Sequence, residues 1–218
     1  MLTYDREAAV AHLRRADPIL ARVVDSIGPF TLEPRAGSFH ALARSIFFQQ
    51  LAGPAARAIM KRVLDLLGTD DERFFTPAEF LAASDEDLRA AGLSRQKLAY
   101  LRDLADKFAS GELREDEFAA LDDEEVIRRV SAVKGIGRWT AEMFLIFSLG
   151  RPDVLPVDDL GVRRGFQQTY SLDGLPSPEQ MRSIAEPWRP FRSVGTWYMW
   201  LSLGVALPER GREGKAGA

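Results

Sequence analysis

Two adjacent acids, Asp158 and Asp159, stand where a helix is predicted to begin. An apolar stripe follows at Val162, Phe166 and Tyr170, with the spacing of one helix face. The start of a helix favours ionised carboxylates, because its amides and its dipole attract negative charge. A fixed anion can stabilise positive charge in a transition state, or orient or deprotonate a water molecule. The alternative is that one of the two acids only caps the helix.

A second motif, Lys134-Gly135-Ile136-Gly137-Arg138, separates two segments with helical spacing. Its glycines allow positive φ and a close approach of another backbone. The amides of such a turn lie at the start of the following helix, where they can receive a phosphate. Ile136 is predicted to anchor the turn in the core, with Lys134 and Arg138 adding charge beside it. The alternative is an ordinary helix–turn–helix joint.

Composition excludes several kinds of site. The chain of 218 residues contains no cysteine, which rules out disulfides, cysteine nucleophiles, thiolate zinc sites and cysteine-held iron–sulfur clusters. Only His12 and His40 are available as imidazole ligands, so a multi-histidine metal site is not expected. No apolar run reaches transmembrane length and the first residues do not read as a signal peptide, so we expect no membrane partner and a cytoplasmic location, on the nucleoid when acting on DNA.

The charge distribution matters more than the net charge of −3, which taken alone argues against a nucleic-acid partner. Residues 112–125 carry a net charge of −7, and the rest of the chain carries +4. By contrast, residues 38–64 contain four cations and no acid. Because salt screens charges over roughly 8–10 Å, a local basic face can operate on an acidic protein.

Helical spacing dominates the remaining sequence, and no convincing alternating strand stands out. We predict an all-α protein of about ten helices. The stretches Thr76-Pro77-Ala78-Glu79 and Ser177-Pro178-Glu179-Gln180 combine a capping residue, a proline and a capping-box partner, and Ser94 reads as another cap. The segment 208–218, rich in glycine and charge, is predicted to be a flexible tail.

Taken together, two segments resemble a known family. Residues 133–141 are similar to the hairpin signature of the helix-hairpin-helix DNA glycosylase superfamily, and residues 155–166 are similar to its catalytic-aspartate segment. The 3-methyladenine DNA glycosylase II (alkylpurine) branch is the most similar. The resemblance implies a two-lobed all-α fold with the active site in the cleft between the lobes. It implies the domains 1–35 (N-terminal helices that join the C-terminal lobe), 36–155 (central lobe, hairpin at 126–149) and 156–207 (C-terminal lobe).

The resemblance assigns the catalytic role to Asp159, because Asp-x-x-Val-x-Arg then matches the register of the family, and it leaves Asp158 as the structural cap. Breaking an N-glycosidic bond develops positive charge on the sugar, which a preorganised carboxylate stabilises. An alkylated purine is already cationic and leaves as a neutral base, so little general-acid help is needed.

Bifunctional members of the superfamily carry a lysine nucleophile directly after the hairpin, where this chain has Trp139. An indole cannot form a Schiff base, so the resemblance implies water as the nucleophile and no lyase step. Lys134 could be proposed as a substitute nucleophile, but we interpret it as a phosphate contact or a solvated charge.

The resemblance also indicates a base pocket. Trp139 and Trp200 match tryptophans in or near the pocket of the alkylpurine branch, Met143 stands where a related enzyme has tyrosine, and a π face suits a cationic purine. The alternative for Trp200, as for Trp188 and Trp197, is a place in the core.

A turn at residues 48–53 resembles the DNA-facing turn of the family, and its predicted DNA contacts include Leu51 and Gly53. Leu51 is the candidate wedge that fills the gap left by a flipped nucleotide, and Gln49 and Gln50 could hydrogen-bond the base or its orphaned partner. Alternatively, Leu51 packs in the core and the glutamines face solvent.

Further predicted DNA contacts are Thr140, in the helix that follows the hairpin, and Lys97. Residues 92–97 resemble a second DNA-side loop, although Lys97 could simply be solvated.

The sequence thus predicts a monomeric, monofunctional glycosylase that flips alkylated purines from double-stranded DNA in base excision repair. The expected substrates are 3-methyladenine, 7-methylguanine and ethenoadenine. No cofactor or metal is required, and a monovalent cation at the hairpin is left open. The alternatives are an oxidised-base glycosylase with lyase activity, a non-catalytic helix-hairpin-helix DNA-binding module, and a helical interaction protein without a DNA role.

Overall fold

The computed structural model describes residues 2–34 and 38–204 of the chain. Every regular element in these two ranges is helical, so the predicted all-α class is confirmed. The elements there are α1 Arg6–Ala16, α2 Pro18–Ile27, α3 Ser38–Phe48, α4 Gly53–Leu67, α5 Pro77–Ala82, α6 Asp85–Ala90, α7 Arg95–Ala109, α8 Asp123–Ser131, α9 Arg138–Phe147, α10 Leu160–Thr169, α11 Pro178–Ile184, a 3₁₀ turn at Glu186–Trp188, and α12 Arg192–Ser202.

The chain divides into two compact units. The first is built on Glu33–Arg151 and contains α3 to α9. The second combines Thr3–Leu32 with the segment that begins at Pro152, so that α1 and α2 belong with α10 to α12. The predicted tail at 208–218 and the predicted start of the central lobe at residue 36 lie outside the described residues.

Local capping sets the start of several helices, as the sequence predicts. Thr76 and Glu79 form a complete capping box at α5, and Ser177 and Gln180 form another at α11. The Ser94 side chain accepts a hydrogen bond from the Lys97 amide at the start of α7. These partners are three residues apart, so one helical turn brings them together.

The core of the first unit forms along α3, α4 and α7. Each of α3 and α4 has a buried apolar face, on which Ile46 and Val63 are fully inaccessible to solvent. Helix α3 packs against both α4 and α7, and α8 packs against α9. This packing holds the two helices that flank the hairpin, α8 and α9, in place.

Ion pairs neutralise much of the acidic segment at residues 112–125. Arg129 contacts Glu117 at 2.9 Å and Glu125 at 2.7 Å, and Arg128 contacts Glu125 at 2.6 Å. The hydrogen bonds from Arg128 and Arg129 lower the pKa of Glu125 to about 2. The uncompensated negative charge of this segment is therefore smaller than its composition indicates.

A buried carboxylate stabilises the second unit. Asp17, only 8% exposed, caps the start of α2. It accepts hydrogen bonds from the Tyr170 hydroxyl, the Trp188 indole N–H, and the Ile19 and Leu20 amides. Burial alone would raise the pKa of Asp17, but these four hydrogen bonds outweigh it and hold the pKa below its usual value. The network ties α2 to α10 and to the 3₁₀ turn.

Candidate functional site

The hairpin places its backbone outward and one apolar side chain inward. Gly135 and Gly137 are exposed, whereas Ile136 is 4% exposed and anchors the turn as predicted. Gly137 stands at the N-cap of α9 and offers no side chain to the first amides of the helix. A Cβ built on Gly137 meets no atom within 4 Å, so the space outside the turn is open.

Gly135 is required for a different reason. Its φ is +79°, in the left-handed region, and a Cβ built on it would lie 2.1 Å from the Tyr100 ring. The sequence predicts close approach to another backbone here, but the structure shows an aromatic side chain of α7 instead. Gly135 thus makes room for the Tyr100 side chain, whereas Gly137 leaves open space at the surface of the first unit.

Both hairpin cations already have carboxylate partners within the first unit. The Lys134 amide donates to Asp103 at 2.9 Å, and the Lys134 ammonium lies 3.4 Å from the same carboxylate. Arg138 donates to Glu124 at 3.0 Å and to Glu142 at 3.1 Å. Its hydrogen bond to Glu124 raises the pKa of the Arg138 guanidinium. The positive charge expected beside the hairpin is therefore largely compensated.

The turn at residues 48–53 is strained and exposed at its tip. Gln50 has a φ of +55°, unusual for a residue other than glycine. Leu51 is 39% exposed, so the alternative that it packs in the core is wrong. Gln49 is half-buried, and its side-chain amide donates to the Gly135 carbonyl at 2.9 Å. Of the two glutamines, Gln50 is the exposed one.

Lys97 is not simply solvated. Its ammonium donates to the Phe47 carbonyl near the end of α3, and desolvation lowers the pKa of Lys97. Together with the bond between Gln49 and Gly135, this contact joins the turn at 48–53, the loop at 92–97 and the hairpin. Three of the segments with predicted DNA contacts are thus joined by hydrogen bonds, and Gly53 stands at the start of α4, which follows the turn.

Trp139, Thr140 and Met143 lie on α9 directly after the hairpin. Trp139 is 49% exposed, and Met143, one turn further, is half-buried. Their i, i+4 spacing places both on the same face of the helix. Thr140 is 9% exposed, so little of its surface is available for the predicted contact with DNA.

The predicted cap at Asp158 is wrong, because Asp159 itself caps α10. The helix begins at Leu160, and Asp159 Oδ1 accepts from the Val162 amide at 2.7 Å. A capping carboxylate reaches the amide three residues ahead, so a shift of one residue in the helix start transfers the role. Asp158 is exposed one residue before the cap. The candidate catalytic residue and the cap are therefore the same residue.

Trp200 is both buried and bonded to this carboxylate. It is 5% exposed, and its indole Nε1 donates to Asp159 Oδ1 at 2.9 Å. The core interpretation is confirmed for Trp188, which is fully buried, and for Trp197, which is 5% exposed. The sequence analysis missed Gly161, where an added Cβ would lie 3.0 Å from both Asp159 Oδ1 and Trp200. Its signal was a second glycine four residues later, Gly165.

The predicted site residues therefore form two clusters. The turn at 48–53, Lys97, the hairpin and the start of α9 belong to the first unit, and Asp159 and Trp200 belong to the second. Within residues 2–34 and 38–204, no group of three or more His, Asp or Glu side chains could hold a metal ion. In the same ranges no helix has the length and apolar character needed to span a membrane.

Comparisons with known proteins identify the same family as the hairpin and aspartate motifs. Residues 43–190 match the family described as HhH-GPD superfamily base excision DNA repair protein. DNA-3-methyladenine glycosylase 1 of Schizosaccharomyces pombe is 36% identical over 202 residues, covering 91% of this chain and 88% of that protein.

Two solved structures are also similar. The 3-methyladenine DNA glycosylase of S. pombe in complex with abasic DNA gives a TM-score of 0.78 at 34% identity, covering 91% of this chain and 98% of that one. The DNA-3-methyladenine glycosidase of Bacillus halodurans gives a TM-score of 0.82 at 35% identity, covering 94% of this chain and 92% of that one.

Proposed function

Because the chain belongs to the HhH-GPD superfamily of base excision DNA repair proteins, in its alkylpurine branch, we propose that it releases alkylated purines from duplex DNA by hydrolysis. The resemblance stated from the sequence is thereby confirmed. The proposed substrates are 3-methyladenine, 7-methylguanine and ethenoadenine.

The observation that carries the proposal is the hydrogen-bonded carboxylate of Asp159. Two neutral donors, the Val162 amide and the Trp200 indole, reach its Oδ1. A carboxylate held in this way stabilises a sugar cation with little reorganisation, and it can accept a proton from water. Asp159 also occupies the sequence position that matches the catalytic aspartate of the family.

In the proposed reaction the N-glycosidic bond breaks and its electron pair leaves with the base. The two cationic substrates, 3-methyladenine and 7-methylguanine, depart as neutral molecules and need no proton from the protein, whereas the uncharged ethenoadenine takes a proton from solvent as it leaves. Water forms the new bond at the anomeric carbon, and its proton passes to Asp159 or to solvent. The reaction as proposed draws on the carboxylate and water alone, so we expect it to persist in EDTA.

The absence of a lyase step is part of the proposal. Trp139 occupies the position of the lysine nucleophile and cannot form a Schiff base. Lys134, the nearest alternative, contacts Asp103 through its ammonium and its amide. We therefore expect an intact abasic strand as the product.

DNA is proposed to contact the exposed backbone of the hairpin and the tip of the turn at 48–53. The open space beside Gly137 and the uncapped start of α9 favour a phosphate there. Leu51, exposed at the tip of its turn, is the proposed wedge during base flipping.

The test is base release from a duplex oligonucleotide with a single 7-methylguanine, in EDTA. We expect free 7-methylguanine by chromatography, and strand cleavage only after alkali. Asp159→Asn should lower the single-turnover rate by about 100-fold or more, because it removes a preorganised charge. It should leave affinity for a duplex carrying an abasic-site analogue unchanged.

Asp158→Asn is the matched control, and its rate should stay near that of the wild type. The opposite result, with Asp158 essential and Asp159 dispensable, would move the catalytic assignment by one residue. DNA binding without release of any alkylated base would favour the non-catalytic module. Strand cleavage without alkali would favour an enzyme with lyase activity.

The hairpin contact has its own test. Gly137→Ala should weaken binding to the abasic-analogue duplex severalfold while lowering the melting temperature only slightly, because the added methyl meets only open space within the protein and alanine is a poorer N-cap than glycine. An unchanged affinity would argue against a phosphate at this turn.

A further inference from the structure

Two glycines of α10 bring that helix close to α12. A Cβ built on Gly165 would lie 2.4 Å from the Met199 carbonyl oxygen, so the helices meet there without an intervening side chain. One turn earlier, a Cβ built on Gly161 would lie 3.0 Å from the Trp200 ring and 3.2 Å from its Nε1. The Gly-x-x-x-Gly spacing on one face of α10 therefore makes room for α12 and for the Trp200 indole.

The space beside Gly161 also borders the carboxylate. The same built Cβ would lie 3.0 Å from Asp159 Oδ1, so Asp159 and Trp200 meet across the bare surface of Gly161. The indole N–H is a donor only, and it donates at 2.9 Å to the oxygen that also accepts from the Val162 amide. One donor comes from α10 and the other from α12.

We propose that Trp200 is a positioning residue for Asp159 and acts through its indole N–H. The small size of Gly161 and Gly165 allows this indole to reach the carboxylate. This inference rests on the proposed function. It assigns to Trp200 a contribution different from the stacking predicted from the sequence. A hydrogen bond from α12 holds the carboxylate in one orientation, so the anion faces the developing charge without first rotating.

The two roles predict different kinetics for Trp200→Phe, which keeps an aromatic ring and removes the N–H. A positioning role lowers the plateau rate of base release and leaves the half-saturating protein concentration unchanged. A stacking role leaves the plateau rate intact, and the weaker cation–π attraction of phenylalanine raises the half-saturating concentration.

The experiment measures single-turnover release of 7-methylguanine from duplex DNA over a range of concentrations of the full chain. For Trp200→Phe we expect a plateau rate about 10- to 100-fold lower, the range for losing a hydrogen bond to a charged group. Half-saturation should not move. Trp197→Phe is the matched control, since Trp197 is equally buried on α12 and packs on Phe30 with ring centroids 5.0 Å apart. Its plateau rate should stay near that of the wild type.

A wild-type plateau rate in Trp200→Phe, or a change confined to half-saturation, would overturn the inference. A wild-type protein that releases no base would instead overturn the proposed function. Melting temperatures separate these outcomes from misfolding.

Gly161→Ala keeps the test open if Trp200→Phe does not fold. Alanine is favoured over glycine inside a helix, but its methyl must displace the indole or the carboxylate by a few tenths of an ångström. We expect a severalfold lower plateau rate with no loss of melting temperature. An unchanged rate would count against the inference.

Discussion

Two aspartates of the second unit are built on the same plan. Asp17 caps α2 and accepts from the Trp188 indole, and Asp159 caps α10 and accepts from the Trp200 indole. The surroundings differ. Asp17 is 8% exposed, whereas Asp159 is half-buried. The same capping arrangement therefore occurs in a buried structural carboxylate and in a half-buried carboxylate for which we propose a reactive role.

The largest effect on stability is expected from Asp17→Asn. If the amide oxygen stays on the Ile19 and Leu20 amides, the new NH₂ faces both the Tyr170 hydroxyl and the Trp188 N–H, and the buried Trp188 N–H loses its acceptor. Losing such bonds to a charged group costs about 2–3 kcal/mol of the free energy of unfolding. Urea denaturation at neutral pH measures it.

Asp159→Asn is the control for that comparison, because asparagine caps a helix about as well as aspartate. Its unfolding free energy should stay within about 1 kcal/mol of the wild type. Equal destabilisation by the two variants would contradict the distinction between a structural and a reactive carboxylate.

A smaller effect is expected from Tyr170→Phe, which removes one of the four donors to Asp17 and leaves the ring in place. We expect a loss of about 1.5 kcal/mol in unfolding free energy, the lower end of the contribution of a single hydrogen bond to a charged group. Base release by the folded protein should be unchanged. A loss of activity at unchanged stability would mean that the Asp17 network also serves the reaction.

The smallest effect concerns acid stability. The pKa of Asp17 is lower in the folded protein than in the unfolded chain, so the folded state binds its proton less readily. The stabilisation is complete above the unfolded pKa of about 3.9 and is lost as the pH falls below it. Denaturation curves at several pH values should show this loss in the wild type. The difference between wild type and Asp17→Asn isolates Asp17 from the other acids, and an equally steep loss in the variant would contradict its role.

Short-range features of this molecule could be predicted, and long-range ones could not. The capping boxes at Thr76 and Ser177 and the inward Ile136 follow from residues within one turn of each other. The bond from Trp200 to Asp159 spans 41 residues, and the bond from Trp188 to Asp17 spans 171. Sequence periodicity does not encode such pairs, because they arise only when separate helices pack.

The error at Asp158 has a different origin. Both acids suit a helix start, and the choice between them depends on where the first helical residue falls, which local patterns fix only to within a few residues. The bonds of Lys97 and Gln49 to backbone carbonyls could not be predicted either, because a carbonyl gives no sequence signal.

The uneven exposure of the tryptophans gives the protein an internal optical reporter. Of the four, Trp188, Trp197 and Trp200 are at most 5% exposed, whereas Trp139 is 49% exposed beside the hairpin. An aqueous quencher such as iodide or acrylamide should therefore act mainly on the fluorescence of Trp139. Protection of that emission by added duplex would follow occupancy of the hairpin face in the unlabelled protein.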